Sequence, residues 1–193
     1  DPEYVDAYVN RGVSKDNLQD YKGAIEDYTK AIELDPKNVY AYANRAYSKN
    51  NLNDNFGAIY DYTRLIELNP QDSSAYRSRG DEKLNLEDFY GAIYDYTRAI
   101  EIDPKDAVAY NNRCWSKYKM ERYKSALTDC NKALLINPKD GNTYDSRGDV
   151  NFALGDKKGA CSDYKNAVAN GHKSREKYLK SDEGAWCRNM NNN

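Results

Sequence analysis

Along the chain, apolar residues recur at helical spacing in successive stretches of similar length, and each stretch contains two such segments. In Tyr21–Leu34, the second segment of the first stretch, apolar residues stand three and four positions apart and so share one face of an α-helix. These residues are Ala24, Ile25, Tyr28, Ala31 and Ile32. The first segment is Val5–Leu18, and the polar pair Gln19-Asp20 separates the two. The pattern therefore predicts two antiparallel helices joined by a short turn.

Residues that favour helix ends flank both segments in most stretches. An aspartate that can accept hydrogen bonds from open backbone amides precedes the second helix at Asp20, Asp54, Asp88 and Asp156. The first helix is preceded in the same way by Asn38, Asp72, Asp106 and Asp140. Because proline cannot continue a helix, the second helix is expected to end before Pro36, Pro70, Pro104 and Pro138.

The whole pattern returns every 34 residues without an insertion. The octapeptide GAIYDYTR occurs at Gly57–Arg64 and again at Gly91–Arg98. Alanine occupies one aligned position in all five stretches, at Ala24, Ala58, Ala92, Ala126 and Ala160. We therefore expect residues 1–170 to hold five tandem repeats, in the helix frame 5–38, 39–72, 73–106, 107–140 and 141–174. A single hairpin is too small to bury its apolar face, so the repeats must stack.

This unit resembles the tetratricopeptide repeat. The resemblance covers Asp1 to about Asn170 and rests on small, aromatic and proline positions, which in the first repeat are Tyr8, Gly12, Ala24, Tyr28, Ala31 and Pro36. It implies an all-α fold, a right-handed superhelical solenoid of antiparallel helix hairpins. It also implies that the first helices line a concave groove for a peptide or a helix of a partner protein.

The C-terminal segment, residues 171–193, departs from the repeat. We expect a short capping helix over Ser174–Lys180, in which Tyr178 and Leu179 cover the last apolar face. The remaining tail is polar, and Trp186 and Cys187 are the tail residues most able to fold back on the cap.

An arginine and an aspartate stand 16 residues apart in every repeat, although the family usually has a large aliphatic residue at the arginine position. Both are equidistant from the hairpin turn, so each pair is expected to meet between the two helices, where guanidinium can bind carboxylate through two bonds. A structural role is favoured over a charged ligand site. The pairs of this Arg–Asp ladder are Arg11–Asp27, Arg45–Asp61, Arg79–Asp95, Arg113–Asp129 and Arg147–Asp163.

A lysine also recurs in the first helix, at Lys15, Lys49, Lys83 and Lys117. Small residues lie opposite, at Gly23, Gly57, Gly91 and Ser125. We expect the lysine stem to lie along the second helix while its ammonium group reaches water. A basic surface for a partner is the alternative.

The groove should be lined by the face of the first helices that points away from the second helices. Asparagine amides can both donate to and accept from the backbone of an extended peptide, and large aromatic residues can anchor a partner. Packing against the adjacent repeat is the alternative for Tyr47 and Trp115. The predicted partner-binding residues are Tyr40, Asn44, Tyr47, Arg77, Asp81, Asn111, Asn112, Trp115 and Tyr118, followed in the fifth repeat by Asn142, Asp145 and Asp149.

One known use of such a groove is disfavoured. Some members of the family hold the C-terminal carboxylate of chaperones with lysine, asparagine and arginine residues from three repeats. Asn44 matches the middle repeat, but the neighbouring repeats place Val9, Val13, Ser74 and Ser78 where the other clamp residues belong.

The composition is compatible with a folded chain. Leu, Ile, Val and Phe total only 30 of 193 residues, which is typical of disordered chains, but disorder also requires a large net charge. Here 29 basic and 31 acidic residues leave a net charge of −2, and 19 tyrosines supply additional core area. We expect a folded chain with an amphipathic core.

The same numbers exclude several classes of partner. A balanced chain with a pI of about 5.6 is unsuited to neutralising nucleic-acid phosphates. No apolar run approaches the roughly 18 residues that a membrane-spanning helix requires. We therefore expect neither nucleic-acid binding nor membrane insertion.

The sequence offers no support for catalysis, and we expect no enzyme activity, cofactor or metal. It contains no nucleotide-binding loop, zinc-protease or nucleophile motif. The single histidine, His172, is expected to be a solvated loop residue. Cys114 and Cys130 are expected to be buried core residues, and the absence of a C-x-x-C pair favours reduced thiols in a cytoplasmic protein.

These observations predict a non-catalytic scaffold that binds a peptide or partner segment in the concave groove. The alternative is structural self-assembly through the N-terminal repeat face, because Asp1-Pro2 falls where a preceding repeat would end and suggests a longer array. An assembly factor for a larger complex is a further possibility by analogy with the family.

Overall fold

The computed structural model describes residues 2–190, with side chains from residue 4 onward, and divides into two compact units. The first unit ends at Ile102 and the second begins at Asp103. All regular elements of the described residues are helical, and they pair as antiparallel hairpins. The expected all-α hairpin fold is therefore confirmed.

The first unit consists of three hairpins. Their helices are α1 (Pro2–Asn17), α2 (Tyr21–Leu34), α3 (Val39–Asn51), α4 (Asn55–Leu68), α5 (Ser73–Asn85) and α6 (Phe89–Ile102). Within the unit, α2 packs against α3 and α4 packs against α5, so consecutive hairpins share a buried face. Alanines at these contacts are fully buried and allow close approach of the helices, for example Ala24, Ala31 and Ala41.

The second unit consists of two hairpins and a C-terminal extension. Its helices are α7 (Ala107–Lys119), α8 (Tyr123–Ile136), α9 (Gly141–Ala153), α10 (Lys157–Ala169), α11 (Lys173–Lys180) and α12 (Ala185–Asn189). The packing of α8 against α9 repeats the arrangement of the first unit. No helix of the described chain has the length and apolar character of a membrane span.

The predicted caps are present at the helix starts. Asp20 accepts from the amide of Gly23 at 3.0 Å, and Asn38 accepts from that of Ala41 at 2.9 Å. The same bond is made by Asp54, Asp72, Asp88, Asp106, Asp140 and Asp156. The start of α8 differs, because Arg122 occupies the position and makes no side-chain cap. A residue with positive φ closes each hairpin turn, at Gln19, Asn53, Glu87, Glu121 and Gly155.

The capping helix begins one residue earlier than predicted, at Lys173, and His172 caps its N-terminus. The Nδ1 atom of His172 accepts from the backbone amide of Arg175 at 3.2 Å and so caps α11. Its Nε2 atom lies 3.8 Å from a carboxylate oxygen of Asp145. The expectation of a solvated loop histidine is wrong, because the imidazole supplies the acceptor that aspartate supplies in the repeats.

The tail folds back on the last hairpin. Trp186 packs against the rings of Phe152 and Tyr164, with centroid distances of 5.3 Å and 6.2 Å. Its indole N–H donates to the hydroxyl of Tyr178 at 3.1 Å. Tryptophan in this polar tail thus fills an aromatic pocket at the end of the fifth repeat.

The four cysteines are paired, which corrects the expectation of reduced thiols. Cys114 and Cys130 form a disulfide across the α7/α8 hairpin, and Cys161 and Cys187 join α10 to α12. Both residues of each pair are buried. Cys114 and Cys130 are core residues, as expected, but they reach each other because they lie at equal heights on the two helices.

Candidate functional site

The Arg–Asp ladder fixes how the first helix of each hairpin faces the second. In all five pairs, Nε and Nη2 of arginine donate to the two carboxylate oxygens of the aspartate 16 residues later, at distances of 2.6–3.0 Å. Each guanidinium also lies 5.2–5.7 Å from the ring of the tyrosine three residues before it. The bidentate geometry sets the rotation of the first helix and therefore which of its residues face outward.

The recurring lysines complete these pairs, because their ammonium groups contact the ladder aspartates. In four hairpins the ammonium lies 2.7–2.9 Å from the ladder aspartate, as for Lys15, Lys49, Lys83 and Lys117. In the fifth hairpin, Asn151 donates to Asp163 from the equivalent position at 2.8 Å. The predicted solvent-directed ammonium is wrong, since a buried carboxylate with two oxygens can accept from both cations. A basic surface for a partner is absent at these positions.

In the first hairpin the ladder pair has the electrostatic effect expected of an ion pair. The hydrogen bond from Arg11 lowers the pKa of Asp27, against the opposing effect of burial, and Lys15 adds to the lowering. The aspartate therefore remains ionised in the hairpin. It acts as a structural acceptor.

In the first unit, two of the predicted groove residues are well exposed. Tyr40 and Tyr47 on α3 are 72% and 53% exposed, and the ring of Tyr47 meets the edge of Tyr21 at 6.5 Å. Asn44 lies between them in sequence, one helical turn from each, and is half-buried. Its side-chain amide has no hydrogen-bond partner in the described part of the chain, whereas its backbone carbonyl accepts from Ser48.

The other two predicted residues of the first unit, Arg77 and Asp81, are partly buried on α5. Asp81 accepts from the hydroxyl of Tyr96 at 2.8 Å, which ties it to the second helix of its own hairpin. It therefore contributes to the packing of the hairpin as well as to the outer face of α5.

In the second unit, Trp115 and Tyr118 form a stacked pair on α7. Their ring centroids are 5.2 Å apart at an interplanar angle of 25°, and the ammonium of Lys119 lies 5.3 Å from the Trp115 ring. Tyr118 also packs with Tyr123 against the buried cluster around Val150, and burial raises its pKa. Both side chains are partly exposed, and Tyr118 links Trp115 to this buried cluster.

The two asparagines beside this pair are half-buried. The Nδ2 atom of Asn111 donates to Oδ1 of Asn112 at 3.4 Å. The Oδ1 atom of Asn111 is buried and has no hydrogen-bond partner in the described chain.

The predicted groove of the fifth repeat is occupied by the chain itself. Arg175 of α11 forms ion pairs with Asp145 and, at 2.8 Å, with Asp149. Its guanidinium lies 4.0 Å from the ring of Tyr164 and 5.0 Å from that of Tyr178. The expectation that Asp145 and Asp149 face an open groove is wrong, because α11 packs there as a further first helix would.

Two features were absent from the sequence prediction. Glu82 is buried on α5 at a position that serine holds in three other repeats. The second helices α4 and α6 also carry exposed aromatic pairs one turn apart, Phe56 with Tyr60 and Tyr90 with Tyr94. The aligned positions in the other repeats are polar or charged. The aromatic residues at these positions of the second and third repeats could therefore have been noticed in the sequence.

Comparison with known families matches the tetratricopeptide repeat. One model of this family matches residues 5–38 and 107–140, and a second matches residues 27–60. Comparison with curated protein sequences gives no significant match.

Several solved structures have the same fold. A crystal structure of MamA is 24% identical, covers 94% of this chain and 97% of its own, and superposes with a TM-score of 0.82. MamA residues 41 to the end from Desulfovibrio magneticus RS-1 are 16% identical, with coverages of 88% and 96% and a TM-score of 0.82. YrrB, described as a tetratricopeptide repeat protein with an unusual peptide-binding site, is 16% identical, with coverages of 90% and 91% and a TM-score of 0.75. At these identities the likeness concerns the fold.

Proposed function

Because the chain belongs to the tetratricopeptide repeat family, we propose that it is a non-catalytic scaffold that binds an extended peptide segment of a partner protein. The binding surface of the first unit consists of Tyr40, Asn44 and Tyr47 on α3 with Val13 on α1, and we call it the tyrosine surface. The observation that carries the proposal is the unpartnered amide of Asn44 between two exposed tyrosines.

The chemistry of the tyrosine surface suits an extended backbone. The Asn44 amide can donate to a peptide carbonyl and accept from a peptide N–H at the same time. Tyr40 and Tyr47 offer rigid aromatic faces with a hydroxyl at the rim, which bind apolar side chains at a low cost in conformational entropy. Since the ladder holds α3 against α4, these groups are in place before a peptide arrives.

The second unit supplies a separate aromatic contact around Trp115. The stacked Tyr118 holds the indole in one orientation, and Lys119 on the next turn adds a cation. Asn111 and Asn112 lie one turn earlier on α7 and can bond a peptide backbone. We treat this contact as a second site whose variants Trp115→Ala and Asn112→Ala are tested independently.

A peptide selected from a random display library on the wild-type protein provides the test. Tyr47→Ala and Asn44→Ala should each weaken its Kd, measured by fluorescence anisotropy, by roughly tenfold or more, as expected for residues at the centre of a binding surface. Tyr60→Ala is the matched control, because Tyr60 is 59% exposed on the second helix α4. Equal losses for Tyr47→Ala and Tyr60→Ala, or no loss for Tyr47→Ala, would reject the tyrosine surface.

Head-to-tail self-assembly has less support. Arg175 and Trp186 occupy the end of the fifth repeat, where the first hairpin of another copy would have to pack. An assembly role within a larger complex is compatible with peptide binding, but no feature of the described surface favours it.

The two disulfides indicate the kind of cellular compartment in which the protein acts. Buried disulfides persist in oxidising surroundings and are rare in the cytosol, where thiols are kept reduced. We therefore propose that the protein acts in an oxidising compartment and not in the cytoplasm that the cysteine spacing suggested.

A further inference from the structure

Two second helices of the first unit carry aromatic side chains on their exposed side. On α4, Phe56 is 75% exposed and Tyr60 is 59% exposed. On α6, Tyr90 is 68% exposed and Tyr94 is 59% exposed. The two residues of each helix are four positions apart and therefore lie next to each other on one face of that helix. We call these four residues the outer aromatic face.

The two aromatic rows have the same orientation. Asp61 directly follows Tyr60, and the ladder binds it to α3. Asp95 directly follows Tyr94 and is bound in the same way to α5. Because α4 and α6 also pack against the same helix, α5, their aromatic rows lie on either side of it. The outer aromatic face thus belongs to second helices, whereas the tyrosine surface lies on the first helices.

The hairpin does not require aromatic residues at these positions. In the other three repeats the aligned residues are exposed and polar or charged, although those hairpins have the same Arg–Asp ladder. Packing within a hairpin therefore does not account for the rings, and a group of exposed aromatic residues is typical of a binding surface. The aligned pairs are Lys22 with Glu26, Lys124 with Thr128, and Lys158 with Ser162.

The size of the face indicates a short segment as its ligand. From the exposed fractions and the usual area of an aromatic side chain, the four rings expose on the order of 500 Å². A stable complex of two folded proteins usually buries about 800 Å² on each partner. The rings therefore supply too little area for a second copy of this chain, but enough for the apolar residues of a short peptide.

Exposed carboxylates line one edge of the face. Asp54 lies two positions before Phe56, and Glu87 and Asp88 lie shortly before Tyr90. Asp54 and Asp88 accept from the backbone amides that they cap, and none of the three carboxylates forms an ion pair within the described residues. This edge therefore carries uncompensated negative charge.

The opposite edge is electrically balanced. Arg64 forms an ion pair with Glu67, and Arg98 forms one with Glu101, at the ends of the helices away from the hairpin turns. Since only the edge at the turns is acidic, the face favours a ligand with cationic residues at one end.

We propose that the outer aromatic face binds a proline-rich segment of a partner protein that carries arginine or lysine at one end. Such a segment already favours the polyproline II conformation and loses little conformational entropy on binding. Its pyrrolidine rings pack on the aromatic faces, and its carbonyls accept from the hydroxyls of Tyr60 and Tyr94. Because proline has no N–H, its residues need no acceptor from helices whose backbone carbonyls are already bonded.

The length of such a segment suits the two rows. Nine residues of polyproline II span roughly 28 Å, and a helix with its side chains is about 10–12 Å wide. One segment can therefore cross α4 and α6 and contact both rows. The binding does not depend on the tyrosine surface, which is on α3 and α1.

The probes are two fluorescein-labelled peptides of nine prolines, one with two arginines at its N-terminus and one with two arginines at its C-terminus. At least one should bind the full chain in fluorescence anisotropy. Its Kd should rise by roughly tenfold or more in the double variant Tyr60→Thr/Tyr94→Thr, because two aromatic anchors are lost. Failure of both peptides to bind the wild type would overturn the proposal.

The double variant has a matched control. Threonine is the residue of the fourth repeat at this position, Thr128, so circular dichroism of the variant should show wild-type helicity. Leu34→Thr/Leu135→Thr replaces two other exposed apolar residues of second helices and should leave Kd unchanged. Equal losses in the two double variants would show general adhesion to apolar surface and overturn the assigned face.

The acidic edge is tested with neutral variants. Asp54→Asn/Glu87→Gln should weaken binding of the arginine-bearing probe severalfold, and the difference should shrink as salt is added. The fold should be kept, because asparagine also caps helices. Nine prolines with two aspartates in place of the arginines should bind more weakly than the arginine-bearing probes. Equal affinities of the aspartate and arginine peptides would overturn the proposed ligand.

Ring signals of isotope-labelled tyrosines locate the probe on the wild-type protein without any variant. The NMR signals of Tyr60, Tyr90 and Tyr94 should shift on binding, whereas those of Tyr40 and Tyr47 should not. Shifts of Tyr40 and Tyr47 alone would place the probe on the tyrosine surface and overturn the outer aromatic face. Because the proline probes and the library peptide are different ligands with their own variants, failure of one proposal leaves the other standing.

Sedimentation of the wild type tests the choice of a peptide over a second copy. We expect a mass that does not change with concentration. A mass that rises with concentration in the wild type, but not in Tyr60→Thr/Tyr94→Thr, would assign the face to a second copy and overturn the proposed partner.

Discussion

Cys114 on α7 and Cys130 on α8 form a disulfide between the two helices of the fourth hairpin. At the aligned positions, three other hairpins have a glycine on the first helix and a tyrosine on the second. A Cβ on Gly12 would lie 2.5 Å from the Tyr28 ring, so the absent side chain makes room for the ring. The other two glycine–tyrosine pairs are Gly80 with Tyr96 and Gly148 with Tyr164. The fourth repeat thus replaces a ring packed on a backbone with a covalent bond between its two helices.

The disulfides should contribute measurably to stability. Closing a loop of 16 residues is expected to stabilise the fold by roughly 3 kcal/mol, and reduction should lower the free energy of unfolding accordingly. Urea unfolding with and without reductant measures this loss. Peptide mapping under non-reducing conditions should recover the pairs Cys114–Cys130 and Cys161–Cys187.

A double variant provides the control for the first pair. Cys114→Gly with Cys130→Tyr restores the glycine and tyrosine of the other repeats and should keep the helical fold without this bond. Cys130→Tyr alone should be less stable than the double variant, because the Cys114 side chain occupies the space of the ring. Four alkylated cysteines in the native oxidised protein would contradict both disulfides.

The second prediction concerns the ladder. Asp95 is fully buried and accepts from Arg79 and Lys83, so Asp95→Ala leaves two cations without their carboxylate. Breaking a buried ion pair on one side is expected to cost about 3–5 kcal/mol of unfolding free energy. Urea denaturation of the variant measures the cost.

Glu101→Ala is the matched control for Asp95→Ala. Glu101 pairs with Arg98 on the exposed side of α6, and loss of such a surface pair should lower the free energy of unfolding far less than Asp95→Ala does. Comparable losses for the two variants would show that the ladder is no stronger than a surface ion pair.

The third prediction concerns the pH dependence introduced by Glu82. Asn50 donates to its Oε1 atom at 2.5 Å, but its buried Oε2 atom has no hydrogen-bond partner in the described chain. Burial raises the pKa of Glu82 above its ordinary value, although Asn50 and Asn85 oppose the shift. The folded state therefore favours the protonated acid, and its stability declines as the pH rises above the ordinary glutamate value of about 4.5.

Glu82→Gln removes this ionisation and should unfold at a higher urea concentration than wild type at pH 8, with the difference disappearing near pH 4. Glu82→Ser, which restores the serine of Ser14, Ser48 and Ser116, should also be more stable at pH 8, by about 1–3 kcal/mol. Glu87→Gln, at an exposed turn position, removes a carboxylate outside the core and is the matched control. A constant difference between Glu82→Gln and wild type from pH 4 to pH 8 would exclude the ionisation.

The fold was predictable because the residues that determine each hairpin recur in several repeats at the same positions. The cap at Asp20 and the pairing of Arg11 with Asp27 recur at fixed spacing, so chance agreement is excluded. The spacing of 16 also separates Cys114 from Cys130, and that equality was a usable signal for their pairing.

Features outside the repeat could not be predicted in this way. The apolar character of Trp186 and Cys187 indicated that they could fold back, but no aligned position showed which residues they and Arg175 would contact on α10 and α9. The surface of the fifth repeat was misjudged for the same reason. The second cation on four of the five aspartates was missed because helical spacing shows which residues face each other but not how many donors one carboxylate accepts.

The paired cations also determine which substitutions the repeat tolerates. In three hairpins an arginine and a lysine are largely buried around a single aspartate, so each interior holds one positive charge in excess. An uncharged donor can therefore take the place of the lysine without leaving the carboxylate unpaired, as Asn151 does beside Asp163 in the fifth hairpin.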